Sequence, residues 1–94
     1  MRLQQNEIAQ IKKVILKEFG KSEIYIFGSQ LDKSKWGGDI DIFIIPQNRE
    51  ELHEKESKVK FFLEEKILKP IDILIHYDFN RDIEKEAIKG IKLT

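Results

Sequence analysis

Ninety-four residues suffice for one hydrophobic core but leave little room for a separate substrate domain, so a single domain over residues 1–94 is expected. Seventeen Lys plus Arg balance 17 Asp plus Glu, and a chain of zero formal charge does not hold nucleic acid through a broad basic field. The absence of cysteine excludes disulfides, thiolate zinc sites and cysteine nucleophiles.

In chain order, residues 1–7 carry no apolar signal core, and no stretch approaches the roughly 20 apolar residues that span a bilayer. A soluble cytoplasmic protein with no membrane partner is the expectation. Ile8, Ile11, Val14, Ile15 and Phe19 recur at helical spacing before Gly20, which predicts a helix over about residues 5–19. Ile24-Tyr25-Ile26-Phe27 is β-branched and aromatic, and it predicts a short buried strand that delivers the chain to Gly28-Ser29. Residues 30–38 are polar and end in Gly37-Gly38, the pattern of a short helical turn opened by Ser29 and then a loop. Asp39 to Ile45 reads as a second strand closed by Pro46.

Asn48-Arg49-Glu50-Glu51 has the spacing of an N-cap with its reciprocal Glu, opening a helix whose apolar stripe is Val59, Phe62, Leu63 and Ile67 and which stops at Lys69-Pro70. Residues 71–76 predict a third strand. Asn80 is expected to cap a last helix with Ile83, Ala87, Ile88 and Ile91 as its buried face. This order predicts an α/β (α+β) fold: a small mixed β-sheet with helices packed mainly on one side.

Aspartate is out of place in the strands of such a small core, because burying an unpaired carboxylate is costly and usually forces it to take up a proton. Yet Asp39 and Asp41 share one strand face, and Asp72 opens another strand within reach of them. Three converging carboxylates repel one another unless a divalent cation lies among them. Mg²⁺ suits such a set, since it prefers oxygen and fills most of its shell with water and substrate phosphates. Gly28-Ser29 lies nine residues ahead of Asp39, on a turn after a strand, where backbone N–H groups can receive a phosphate.

Ile26-Phe27-Gly28-Ser29, the nine-residue spacer, Gly38-Asp39-Ile40-Asp41-Ile42 and Ile71-Asp72-Ile73 resemble the minimal nucleotidyltransferases of the DNA polymerase beta superfamily. The resemblance covers nearly the whole chain. It implies that Asp39 and Asp41 hold two Mg²⁺ ions, that Asp72 completes the catalytic metal's site and helps deprotonate the attacking hydroxyl, and that Gly28 and Ser29 bind the nucleotide's terminal phosphates. ATP or another nucleoside triphosphate would be the substrate. The resemblance also implies an antitoxin that pairs with a small helical HEPN-type protein and adds AMP to one of its tyrosines, in a homo- or hetero-oligomer.

One position departs from the family's pattern. Many relatives follow Gly-Ser with arginine, whereas Gln30 stands here and Lys33 and Lys35 are the nearest cations; lysine offers a point charge without arginine's bidentate fork. Two rivals follow: a binding module that neutralises its partner by contact alone, which Gln30 favours, and transfer to a small molecule of aminoglycoside type, which would need a second subunit to complete the pocket. Trp36 either packs over the sheet edge or stacks on a base. His76 reads as a structural histidine, since Mg²⁺ disfavours imidazole, and the charge run from Glu50 to Lys60, with His53, reads as a solvated face.

Overall fold

The computed structural model describes residues 3–28 and 39–93. The elements in chain order are α1 (Gln5–Phe19), β1 (Ser22–Phe27), β2 (Ile40–Pro46), α2 (Leu52–Ile67), β3 (Ile71–Ile75), α3 (Asp82–Ala87) and β4 (Ile91–Lys92). The strands form one sheet in the order β3-β2-β1-β4. β1 runs antiparallel to both β2 and β4, and β2 runs parallel to β3.

Side-chain alternation divides the sheet into two faces. Ile24 and Ile26 of β1, Ile40, Ile42 and Ile44 of β2, and Ile71 of β3 point to the first face. There they meet Ile11, Val14, Ile15 and Phe19 of α1 and Val59 and Leu63 of α2, and these side chains form the main core. α1 starts where the Glu7 carboxylate accepts the Gln4 N–H at 2.9 Å, and ends where Gly20, at φ 75°, donates its N–H to the Leu16 carbonyl.

The second face carries Asp41, Phe43, Tyr25, Phe27, Asp72 and Leu74, with Asp39 leading into β2. α3 and the chain before it cover one half of this face. Phe43 is fully buried there, and its ring meets those of Tyr25 and His76 at 6.0 and 6.5 Å. The other half carries the carboxylates. Two helices on one face and a six-residue helix on the other match a fold with helices mainly on one side. Among the described residues no helix is long and apolar enough to cross a membrane.

Five local expectations are corrected. The sheet has a fourth strand, β4, in a segment expected to be helical. α2 opens at Leu52 after Glu51, which is in the left-handed region; Asn48 instead accepts the Glu50 N–H at 2.9 Å and turns the loop. The N-cap of α3 is Arg81, while Asn80 donates its own N–H to Asp78. Of the face expected to be buried, only Ala87 is; Ile83, Ile88 and Ile91 are exposed, and Glu84 points inward. Phe62 likewise lies outside the core, edge-on to exposed Phe61.

Glu84 is buried because every lone pair it turns inward is used. Its Oε2 accepts the Tyr77 and Asp78 N–H groups at 2.8 Å and meets Arg81, while Oε1 lies 2.6 Å from His76 Nδ1. A carboxylate so satisfied fixes the turn between β3 and α3 and bears its own desolvation. Gly90 closes the same region: a Cβ there would overlap the Ile26 carbonyl oxygen, so a glycine allows the chain to enter β4 against β1.

Candidate active site

The site forms at one end of the second face, where β1 finishes and β2 and β3 begin. Antiparallel pairing sets Phe27 opposite Asp41, and parallel pairing sets Asp41 opposite Asp72. Cross-strand partners project to the same face, so strands about 4.8 Å apart place these two carboxylates side by side. Asp39, just ahead of β2, adds a third: its carboxyl hydrogen-bonds that of Asp72.

That hydrogen bond, then slight desolvation and the negative charge of Asp72, hold Asp39 above the usual aspartate value of 3.8. Lys60 pulls it down and Glu64 adds to the rise. The shift is what a close second carboxylate does to its neighbour, disfavouring the charged form.

Gly28 ties the turn after β1 to this cluster. Its φ of 76° lies in the left-handed region, and a Cβ there would overlap Asp41 Oδ2 and lie 3.1 Å from Cγ. Glycine is required twice over, for backbone angle and for space. Ser29, Lys33 and Lys35, with Gln30 and Trp36, lie outside the described residues.

Two residues that escaped the sequence reading stand beside the carboxylates. Lys60 Nζ is 3.9 Å from Asp72 Oδ1, and Glu64 accepts the Ile71 N–H at 2.9 Å, one residue before Asp72. Both lie on α2, one turn apart, on the flank beyond the edge strand β3. In the sequence they read as an ordinary i,i+4 pair on a solvated helix; only the parallel crossover sets them against the head of β3.

His76 lies at the opposite end of β3 from Asp72. Its ring bonds Glu84 and stacks on Phe79 at 3.8 Å between centroids, the surroundings of a structural histidine. His53 is exposed.

The donor set suits a hard divalent cation. It consists of carboxylate oxygens, two of them in hydrogen-bond contact and the third their register neighbour. Among the described residues no group of three His, Cys, Asp or Glu side chains gathers closely enough to hold an ion unaided. Mg²⁺ asks for less, taking one or two protein carboxylates and completing its shell with water and phosphate oxygens.

A strand, a glycine turn and a pair of acidic strands in this order define a nucleotidyltransferase fold. The chain belongs to the family described as Polymerase beta, Nucleotidyltransferase, which matches residues 9–94. Membership supports nucleotidyl transfer as its general role. No curated protein matches the chain.

Proposed function

We propose that the protein transfers AMP from ATP, in the presence of Mg²⁺, to a hydroxyl of a partner protein. The observation that carries this reading is the alignment of Asp41 with Asp72, with Asp39 hydrogen-bonded to Asp72 and Gly28 packed on Asp41.

Asp39, Asp41 and Asp72 would hold two Mg²⁺ ions, which when bound stabilise the attacking and leaving oxygens of an in-line displacement. The chain's own groups supply the rest. Asp72, beside Asp39 and Asp41, accepts the proton of the attacking hydroxyl. The hydroxyl oxygen forms a bond to the α-phosphorus as the bond from that phosphorus to the α–β bridging oxygen breaks, and pyrophosphate leaves with that oxygen. The turn at Gly28-Ser29, with Lys33 and Lys35 following, is the proposed seat of the departing phosphates, as in the proteins the sequence resembles.

The same resemblance supports a tyrosine of a small helical HEPN-type protein as acceptor, within a cytoplasmic toxin–antitoxin pair. A chain this short has little left over to build a deep acceptor pocket, which favours a protein acceptor. The reading is tested by incubating the protein and its co-purifying partner with Mg²⁺ and α-phosphate-labelled ATP. Covalent label on the partner is expected. Absence of label with all four nucleotides, partner binding being intact, would sink the catalytic reading.

Gln30, where many relatives carry arginine, favours a second reading: neutralisation of the partner by contact alone. The double variant Asp39→Asn with Asp41→Asn separates the two. A contact inhibitor still neutralises its partner with both carboxylates gone, whereas an enzyme does not.

A further inference from the structure

Lys60 is not an arbitrary surface lysine. Val59 and Leu63, its neighbours on α2, are fully buried against the sheet, and Glu64, one turn on, bonds the Ile71 N–H. The helix is therefore pinned to the head of β3 on both sides of Lys60. Only the flexible stem of Lys60 is free to move, and it brings the ammonium to 3.9 Å from Asp72 Oδ1, with both side chains about half exposed (47% and 55%). Its charge is also felt at Asp39.

An ammonium beside Asp72 opposes a divalent cation on the same carboxylate, since like charges at that range repel even in water. A metal on Asp72 would weaken the hold of that carboxylate on Lys60, and the freed ammonium would be attracted by the negative charge of a nucleotide arriving with the metal. A lysine stem with several rotatable bonds can follow the negative charge from one partner to the next.

We infer that Lys60 is the resident counter-cation of the carboxylate site: it neutralises Asp72 before ligands arrive, yields that oxygen to the metal, and moves to the phosphates of the nucleotide. It thereby disfavours metal alone and favours metal with nucleotide. The inference rests on the metal–nucleotide reading of the site proposed above.

The test measures binding by calorimetry, with no turnover, using Mn²⁺ alone and then α,β-methylene ATP, which blocks transfer at the α–β bridge, in saturating Mg²⁺. Lys60→Gln is expected to bind Mn²⁺ about three- to tenfold more tightly, because a competing charge is gone. It is expected to bind the analogue about three- to tenfold more weakly, because a charge-assisted phosphate contact is gone. Lys60→Arg, which keeps the charge, should stay within about twofold of wild type in both. Lys58→Gln, an exposed lysine on the same helix, makes the same change in net charge and should leave both affinities unmoved.

Opposite signs for the two ligands in Lys60→Gln support the inference, since a merely structural role moves both in one direction. Equal effects in Lys58→Gln, no effect in Lys60→Gln, or the same sign for both ligands would each overturn it. If wild type binds neither ligand, the metal–nucleotide reading itself falls and the inference falls with it. Wild-type binding with an unresponsive Lys60 removes the inference alone.

Discussion

The backbone of Gly28 lies against the carboxylate of Asp41 so closely that no side chain fits between them. A Cβ on Gly28 would overlap Oδ2, and the residue's φ of 76° already excludes most other residues. Gly28 and the first acidic strand are thus packed together, joined at the pair Phe27 and Asp41.

Gly28→Ala should therefore fail in function before it fails in folding. The strained backbone costs about 1–3 kcal/mol, which a melting curve records as a lowered Tm. Displacing Asp41 by even about 1 Å costs roughly a hundredfold in transfer rate. A variant with wild-type turnover would show that Asp41 has freedom to move without consequence, contrary to this packing.

The rise at Asp39 has a definite pH signature in metal-free protein. The folded value of Asp39 lies above 3.8, so its contribution to stability is full below that pH and is lost as pH rises through the folded value. Urea unfolding in EDTA, compared between wild type and Asp39→Asn at steps upward from about pH 3.5, should show the variant losing less stability over this window. Parallel curves for the two proteins would show that Asp39 is not raised in the folded protein.

Glu84 behaves with the opposite sign. Burial pushes its carboxyl up, but the bond to His76 and the N–H groups of Asp78 and Tyr77 outweigh burial and leave it below the usual 4.5. Its contribution is present above pH 4.5 and fades as pH falls through the lower folded value. Glu84→Gln keeps the shape but weakens charge-assisted bonds, at a cost of about 2 kcal/mol at neutral pH. Far-UV melting should register this as a lower Tm, and the acid-induced loss between pH 4.5 and the wild-type midpoint should shrink in the variant. A Glu84→Gln protein as stable as wild type would mean that the turn after β3 is held by packing alone.

Glu84 also marks the limit of what the sequence reveals. α1 and the first three strands are legible because apolar residues recur at helical spacing in one and β-branched residues run together in the others. Asp39, Asp41 and Asp72 stand out for the converse reason, being charges where a core is expected. What a linear pattern lacks is knowledge of partners. Glu84 falls outside the expected buried face because its four partners, His76, Tyr77, Asp78 and Arg81, come from the segment between β3 and α3, and Ile83 and Ile88 read as core because nothing local says that the helix lies on its Glu84–Ala87 side. β4, two residues long, carries no pattern of its own and exists because Ile26 offers a free edge of β1. Lys60 and Glu64 gain their place only from the crossover that sets α2 along β3.

Metal should stabilise the fold through the carboxylates that now repel one another. A ligand bound to the native state alone adds RT ln(1 + [L]/Kd), about 2.7 kcal/mol at a hundred times Kd. For a domain near 100 residues each kcal/mol moves Tm by about 4–8 °C, so saturating Mg²⁺ should raise Tm by about 10 °C or more, and EDTA should reverse the rise. Asp39→Asn with Asp41→Asn should abolish this gain. It should not lower the metal-free Tm by a comparable amount, because each substitution also removes a source of repulsion at Asp72. Differential scanning calorimetry of both proteins, with and without Mg²⁺, separates these effects. A double variant that gains as much as wild type would show that the ion binds away from this face, and a wild type that gains nothing would remove the metal from the site.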